Sequence, residues 1–427
     1  MKIAAIIAEY NPFHLGHDWQ LKSIRQQLGA NCAIVAVMSG CFTQRGEPAL
    51  LDKWTRTRMA LACGVDLVIE LPFAYATASA ERFASGGVAL IDAIGLDCHL
   101  VFGSESGDLN QLQQLASLLA DEPQGYREKL RQYLDDGESF PAARQLAVAD
   151  WLGDAGLADL LESSNNILAI EYLKALHQRR ECQLTPMTFK RQGQAYRDTS
   201  PEAAAAGFAS AAAVRRRIDD FQRTKPDNLH GLITDLSAMM PAPSLALLME
   251  RIQSGPGPLR PEDFAVSVLS LLRSLPPEQL DNLPGMSEGL GRRLSACARR
   301  SETGSPDQRL SDLLKAAATR RFPQTRIQRA LLSLLAGLKS EDFALFDSAG
   351  GPQYLRILGF SKQGRYLLKM MRKTARLPIL MNASDQLESD QPALKRMAEL
   401  DAQSVDLWML AAGLPCGRDF DTPAVIS

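Results

Sequence analysis

The N-terminal stretch MKIAAIIAEYNPFHLGHDWQLKSIRQQ, residues 1–27, decides the fold of this chain. Its apolar run at residues 3–8 is typical of a buried strand and ends in the turn NPF, and helical periodicity resumes after Gly16. His14 and His17 therefore lie at the start of a helix, where free backbone N–H groups and the helix dipole favour an anion. We expect a phosphate group to bind there.

This pair of histidines suits attack on the α-phosphate of a nucleotide. Negative charge spreads over the phosphate oxygens in the transition state, and donors already in place lower the barrier. The pattern H-x-G-H is short enough to occur by chance, and two histidines are more often surface or core residues. Its position directly after an N-terminal strand favours the functional interpretation.

Composition limits the class of protein. The length of 427 residues suggests two or three domains, and 46% hydrophobic residues are enough for real cores. The net charge of −2 means that any nucleic-acid partner must be held by a local basic patch. Seven cysteines without CxxC spacing predict a reduced, cytoplasmic protein with neither a zinc cluster nor a disulfide framework, so we expect no metal site.

The sequence shows no membrane or export signal that we recognise. No apolar stretch reaches the ~18 residues that a membrane helix needs. The N-terminal run is interrupted by Glu9 and lacks a small-residue cleavage site, so it is interpreted as a strand and not as a signal peptide. We therefore expect no membrane partner.

The first half of the chain alternates strands and helices. Apolar runs at residues 32–38, 65–71 and 99–102 follow the first strand, and residues 182–190 are a candidate fifth strand. Strands without polar alternation that are joined by helices predict an α/β fold with a Rossmann-like parallel sheet. Ligands of such sheets bind at the carboxyl ends of the strands. Candidate residues at those ends are His14, His17, Gln44, Arg45, Gly103, Lys190 and Arg191.

Other nucleotide-binding and hydrolase motifs are missing. The chain has no G-x-x-x-x-G-K-[ST] loop, and no G-x-G-x-x-G follows the first strand. It also has no G-x-S-x-G nucleophile motif. A phosphate site built on histidines is the interpretation that remains.

The second half has a different character. From about residue 221 the strand patterns vanish and leucine-rich helical patterns dominate, with helix candidates at residues 265–272 and 326–338. We therefore predict an α/β domain with a nucleotide site at residues 1–220 and an all-α domain at residues 221–427.

Basic residues are concentrated in this second half. Residues 291–330 hold ten Lys and Arg against three Asp and Glu, a local charge of +7, and a second basic run follows at Lys362, Arg365, Lys369, Arg372 and Lys373. Charged helix faces are often simply solvated. A basic lobe on a slightly acidic protein nevertheless suits contacts to an RNA backbone.

Several longer motifs resemble one known family. The motifs NPFHLGH, MSGCFTQRGEPALLDKWTRTRMAL, GVDLVIELP, SNNILAIEYLKAL and TRIQRALLSLL are similar to those of the bacterial tRNA(Met) cytidine acetate ligases, which are HxGH nucleotidyltransferases. The resemblance covers nearly the whole chain, and GxFxQRGEPA is much more specific than HxGH. It implies that ATP and acetate give acetyl-adenylate, and that the acetyl group then passes to the exocyclic amine of the wobble cytidine in elongator tRNA(Met).

The resemblance also implies site residues. His14 and His17 would be catalytic, and Mg²⁺ would enter with ATP. Gln44 and Arg45 are candidates for the acyl or cytosine end, although Arg45 could equally pair with Glu47 or Asp52. Four arginines are candidates for tRNA contacts: Arg320, Arg321, Arg326 and Arg329. The implied ATP-binding residues are Ile7, Ala8, Glu9, Tyr10, Asn11, Pro12, Phe13, His14, Leu15, Gly16, His17, Asp18, Trp19, Gln20, Gly103, Asn165 or Asn166, and Arg191.

Some positions depart from the resembled family. Residues 193–198 read GQAYRD where the family often has GAGYHD, which puts a role of that loop in doubt. The stretch SAAAVR lacks the hydroxyls of a related motif, so Arg215 is its one firm match.

Two alternatives stay open at this point. An adenylyltransferase acting on a small metabolite would share the first domain, but it would leave the basic helical half unexplained. A non-catalytic nucleotide- or RNA-binding module would not need both histidines. The sequence shows no obvious general base for any of these functions.

Overall fold

The computed structural model describes residues 1–179, 182–191, 208–224, 228–254, 257–300, 308–386 and 389–427. Within them, one sheet forms the centre of the molecule, and its first five strands run parallel in the order β5-β4-β1-β2-β3. These strands are β1 (Ile3–Ala8), β2 (Ala33–Ser39), β3 (Leu67–Leu71), β4 (Cys98–Ser104) and β5 (Leu184–Lys190). All five predicted strands are confirmed, with bounds that shift by up to two residues.

The strand order reverses at β1. This strand pairs with β2 on one side and with β4 on the other, both in parallel register. The connections that leave the carboxyl ends of β1 and β4 therefore run to opposite sides and open a crevice between them. The H-x-G-H motif follows β1 and lies at this crevice.

Helices cover both faces of the sheet and form the rest of the molecule. Side chains cap two of these helices at their first turn, since the Asp52 side chain accepts from Thr55 N–H and the Ser79 side chain accepts from Arg82 N–H. The helices are α1 (Leu15–Leu28), α2 (Lys53–Ala62), α3 (Phe73–Ala76), α4 (Ala80–Ala93), α5 (Leu109–Asp121), α6 (Gln124–Asp135), α7 (Phe140–Leu152), α8 (Ala155–Asp159), α9 (Ser164–His177), α10 (Ala211–Thr224), α11 (Leu229–Ser237), α12 (Ala242–Ser254), α13 (Ala265–Ser274), α14 (Pro277–Asp281), α15 (Leu290–Arg300), α16 (Arg309–Ala317), α17 (Gln324–Ala336), α18 (Ser340–Ser348), α19 (Lys362–Thr374), α20 (Pro392–Ala411) and α21 (Arg418–Asp421).

The C-terminal half also contributes strands, so the expectation that strands vanish after residue 221 is wrong. Strand β6 (Leu355–Phe360) pairs antiparallel with β3, and the two-residue strands β7 (Ile379–Leu380) and β8 (Val425–Ile426) pair with β6. The sequence of β6, LRILGF, is fully buried. A short apolar run of this kind cannot be told from a buried helix by periodicity alone. The predicted α/β class with a helical C-terminal part is confirmed.

Three hydrophobic clusters organise the packing. Two of them cover the opposite faces of the sheet and include side chains from both halves of the chain. The third lies within residues 265–334 and is built from α13 to α17 and from Met286 and Phe322 in the loops between them. Contacts thus cross the predicted boundary at residue 220, and that boundary stays a prediction. None of the described helices is long and apolar enough to cross a membrane.

Candidate active site

A cavity of about 430 Å³ opens at the carboxyl ends of β1 and β4, where the strand order reverses. Most of the predicted site residues line it: Ile7, Ala8, Glu9, Tyr10, Asn11, His14, Gly16, His17, Trp19, Gln20, Gln44, Arg45, Gly103, Asn165, Arg191, Arg215 and Arg329. Other predicted residues do not line it: Pro12, Phe13, Leu15, Asp18, Asn166, Lys190, Arg320, Arg321 and Arg326. The fold therefore brings the two histidines together with residues from six distant segments.

The two histidines cap the N-terminus of α1. His14 is the N-cap residue, and its Nδ1 accepts a hydrogen bond from Gly16 N–H over 3.0 Å. His17 Nδ1 accepts in turn from His14 N–H over 3.2 Å. Because a neutral imidazole that accepts at Nδ1 carries its proton on Nε2, both rings present an Nε2–H donor.

The surroundings keep both imidazoles neutral. Burial, aided by the positive charges of Arg191 and Arg215, lowers the pKa of His14 to about 3. Burial, followed by His14 and Arg191, also lowers the pKa of His17 well below its usual value. The ring centroids are 3.8 Å apart, so two charged rings would repel each other strongly. The pair can donate hydrogen bonds to an anion without first being protonated.

Gly16 has a packing role that the sequence did not reveal. A Cβ at this position would lie 2.8 Å from His14 Cε1 and 3.0 Å from His14 Nδ1. The absent side chain therefore makes room for the imidazole of His14.

The turn between β1 and α1 is fixed by contacts from distant segments. Asn11 Oδ1 accepts from Leu50 N–H over 2.7 Å, and Arg215 Nη1 donates to Asn11 O over 2.9 Å. On the other side, Ser244 Oγ donates to Phe13 O over 2.8 Å. Phe13 is fully buried in the core, which explains why it does not face the cavity.

The two candidate asparagines have different surroundings. Asn166 is buried, and its Oδ1 accepts from the backbone N–H groups of Glu105 and Ser106, so it fastens the loop after β4. Asn165 lines the cavity, and its Oδ1 accepts from Arg191 Nη1 over 3.2 Å. The Glu105 carboxylate accepts from the first N–H groups of α9, so this helix end is already capped.

Gly103 lets the side chain of Arg191 cross β4. A Cβ at position 103 would lie 3.1 Å from Arg191 Cγ. The backbone oxygen of Ser104, the next residue of β4, accepts a hydrogen bond from Arg191 N–H over 2.9 Å and so anchors the backbone of Arg191. Arg191 is thereby brought into the lining of the cavity.

The loop CFTQRGEP joins the first half of the chain to the second. Gly46 has a φ of +80°, and a Cβ there would lie 2.4 Å from Arg329 N in α17. Gln44 N–H donates to Glu9 Oε1 over 2.8 Å, and Gln44 Nε2 donates to Ala78 O. This close packing brings Arg329, which we predicted as a tRNA contact, into the lining of the cavity.

Cys41 and Asp52 have structural roles. Cys41 is buried, and burial raises the pKa of its thiol to about 12, which fits a small core residue and not a reactive thiol. Asp52 caps α2 and pairs with Arg251 at 3.3 Å.

Sequence reasoning missed several residues of the site. Phe83, Phe102, Leu168 and Tyr172 form an apolar part of the lining, but in the sequence they resemble ordinary core positions. Residues 193–198 lie outside the described residues. Among the described residues, no group of three or more His, Cys, Asp or Glu side chains could hold a metal ion.

Comparisons with known proteins agree over the length of the chain. The model of the HIGH nucleotidyl transferase family matches residues 1–419. The tRNA(Met) cytidine acetate ligase of Acetivibrio thermocellus is 40% identical over 419 residues, covering 98% of this chain and 97% of the relative. The protein of the same name from Caldanaerobacter subterraneus subsp. tengcongensis is 39% identical over 414 residues and covers 96% of each chain.

Solved structures show the same architecture. The crystal structure of apo Thermotoga maritima TmcAL (form I) matches with a TM-score of 0.90 at 35% identity. The structure of Thermotoga maritima TmcAL bound with alpha-thio ATP matches with a TM-score of 0.87 at 34% identity. Both matches cover 100% of this chain and 99% of the solved chain.

Proposed function

We propose that this chain, which belongs to the HIGH nucleotidyl transferase family and within it to the tRNA(Met) cytidine acetate ligases, is an ATP-dependent ligase that acetylates a cytidine of tRNA(Met). The observation that carries the proposal is the pair of neutral histidines with Nε2–H donors at the start of α1. Donors at this place suit the α-phosphate of ATP, where acetate attacks.

The first reaction joins acetate to AMP. An acetate oxygen forms a bond to the α-phosphorus while the bond to pyrophosphate breaks. His14 and His17 donate to the α-phosphate oxygens as negative charge shifts among them. Arg191 lies beside His14 and Asn165, so its charge offsets the repulsion between acetate and the triphosphate and stabilises the leaving pyrophosphate.

Asn165, and not Asn166, is the asparagine that we propose for ATP. Its side chain lines the cavity and contacts Arg191, whereas the side-chain oxygen of Asn166 is engaged by two backbone N–H groups. Mg²⁺ would enter with ATP and be held mainly by the phosphates, because the described lining offers Glu9 as its sole carboxylate.

The second reaction transfers the acetyl group to the tRNA. We propose the exocyclic amine of the wobble cytidine in elongator tRNA(Met) as the acceptor, with the base splayed into the cavity. The basic surface of the C-terminal half would hold the RNA backbone. Arg320 is exposed, whereas Arg321 and Arg326 contact Glu288 at 3.2 and 3.3 Å.

The proposed first step is tested by acetate-dependent exchange of labelled pyrophosphate into ATP. Exchange that requires acetate supports the ligase. Exchange that ignores acetate would indicate an adenylyltransferase with another acceptor, and no exchange with or without tRNA would contradict catalysis altogether. Acetylation of tRNA(Met), read by mass spectrometry of the anticodon nucleosides, then tests the second step.

The RNA surface is tested separately. Arg320→Ala should raise KM for tRNA and lower the salt dependence of binding by about one phosphate contact, while leaving pyrophosphate exchange unchanged. Arg127→Ala on α6, which is also exposed, is the matched control. Equal KM values for the two variants would contradict a role of Arg320 in tRNA binding.

A further inference from the structure

One carboxylate lies in a cavity that is otherwise built for anions. Among the described residues that line the cavity, Glu9 is the sole acidic side chain, whereas four arginines line it: Arg45, Arg191, Arg215 and Arg329. A carboxylate in such a place weakens the binding of phosphate and acetate, because like charges repel. Its presence therefore calls for a partner that donates hydrogen bonds.

Glu9 is held firmly at the point where the strand order reverses. It directly follows β1, and its Oε1 accepts from Gln44 N–H over 2.8 Å. Its backbone oxygen accepts from Arg56 Nη1 over 2.6 Å. No hydrogen bond from another described residue reaches the second carboxylate oxygen, Oε2. The carboxylate is thus oriented by one oxygen and available through the other.

We infer that Glu9 Oε2 accepts a hydrogen bond from the exocyclic amine of the cytosine and takes its proton during acetyl transfer. This inference rests on the proposed function. A cytosine amine is a hydrogen-bond donor that carboxylates accept from in other complexes. The amine of cytosine is also a poor nucleophile, because its lone pair is delocalised into the ring, so removal of a proton assists its attack.

In the proposed transfer step, one bond forms to the acetyl carbon while another breaks. The amine nitrogen forms a bond to the acetyl carbon, and the bond from that carbon to the phosphate oxygen breaks. AMP leaves with the electron pair, and the amine proton passes to Glu9 Oε2, from which it returns to solvent. Burial of the carboxyl group raises the pKa of Glu9, and the Glu47 carboxylate adds to the rise, while Gln44 N–H, Arg215 and Arg45 oppose it. A base with a raised pKa receives a proton more readily.

The two steps of the reaction separate this role from nucleotide binding. Glu9→Gln keeps the size of the side chain but cannot take the proton. We expect it to slow single-turnover transfer from acetyl-adenylate to tRNA by about 10²–10⁴-fold more than it slows acetate-dependent pyrophosphate exchange. The wild-type transfer rate should fall as the pH drops through the raised pKa of Glu9. The residual transfer rate of the variant should not show this decrease.

The matched control is Glu81→Gln on α4, an exposed carboxylate that pairs with Lys174 outside the cavity, and both of its steps should match wild type. If Glu9→Gln slowed both steps equally, Glu9 would serve ATP or its Mg²⁺, and the inference would be overturned. If it slowed neither step, Glu9 would not be the base. Should the variant fail to fold, Glu9→Asp is judged by the same ratio of the two rates. Absence of exchange in wild type would instead contradict the proposed function itself.

Discussion

The backbone N–H of His14 donates to Nδ1 of His17 over 3.2 Å, and this bond leaves Nε2 as the nitrogen of His17 that can donate to a ligand. The Nδ1 of His14 is occupied in the same way by Gly16 N–H. The helix start was expected to bind a phosphate with its own N–H groups. Instead, Leu15 N–H donates to Met239 O, Gly16 N–H donates to His14 Nδ1, and the N–H groups of His17 and Asp18 donate to His14 O. The donors that this helix start offers to an anion are therefore the Nε2–H groups of the two imidazoles.

The first prediction concerns His17. Replacement by Ala removes one Nε2–H donor from the α-phosphate and should slow acetate-dependent pyrophosphate exchange by about 10²–10³-fold. His17→Gln should retain more activity than His17→Ala, because its amide N–H can donate. Equal rates for wild type and His17→Ala would contradict the proposed role.

The second prediction concerns pH. Because the pKa of His14 lies at about 3 and that of His17 is also lowered, both rings are already neutral at neutral pH. Protonation would begin only as the pH falls towards the lowered values. We therefore expect kcat/KM for ATP in the exchange reaction, which reports the free enzyme, to be flat between about pH 6 and 8. A loss of exchange below pH 7 that disappears in His17→Gln would show that an imidazolium is required.

The third prediction concerns Gly16. A Cβ at this position would collide with the imidazole of His14. This ring caps α1, and its Nδ1 accepts a hydrogen bond from Gly16 N–H. Gly16→Ala should therefore slow exchange by at least about tenfold, although alanine in a helix is favoured over glycine by about 1 kcal/mol. Thermal unfolding measures stability, and the exchange assay measures activity. Gly156→Ala is the matched control, because Gly156 is also the second residue of a helix and its Cβ would meet only the exposed end of Asp154.

The fourth prediction concerns Arg56, which is fully buried and donates to backbone oxygens of Glu9, Ser39, Gly40 and Leu51. A lysine cannot reach all four acceptors, so Arg56→Lys should lower the free energy of unfolding by about 2–4 kcal/mol. It should also slow exchange, because Glu9 and the loop after β2 lose their shared anchor. Urea denaturation measures the first effect. Arg58→Lys, two residues along the same helix in an exposed pair with Glu250, should change stability by less than about 0.5 kcal/mol.

Local signals in the sequence predicted the centre of the fold correctly. The apolar runs of the strands and the turn before His14 are set by neighbours in sequence, and the structure confirms them. The distinct surroundings of Asn165 and Asn166 and the position of Glu9 depend on contacts with residues up to 61 positions away. Such contacts exist only after the strands have paired, so no window of sequence reveals them.

The C-terminal half shows the same limit on a larger scale. Leucine-rich periodicity indicated helices, but β6 adds to the sheet edge at β3, and α17 brings Arg329 into the cavity. Both placements depend on surfaces that belong to the first half. The pattern predicted which side chains of these segments are buried but not the surfaces against which they pack.

The last prediction concerns the point at which the C-terminus is fastened to the sheet. Lys53 is fully buried and lies 2.7 Å from Glu70 and 2.6 Å from Asp419, and Arg356 lies 3.6 Å from Asp419. These two cations and two anions compensate one another's charge in the solvent-excluded core. One of the anions, Asp419, belongs to α21. Asp419→Asn would leave an uncompensated positive charge in the core, which costs about 3–5 kcal/mol when one partner of a buried pair is removed. We expect a corresponding fall in the midpoint of urea denaturation. Asp421→Asn, exposed in the same helix, should unfold like wild type. Equal midpoints for Asp419→Asn and Asp421→Asn would mean that the buried charges do not hold the C-terminus to the sheet.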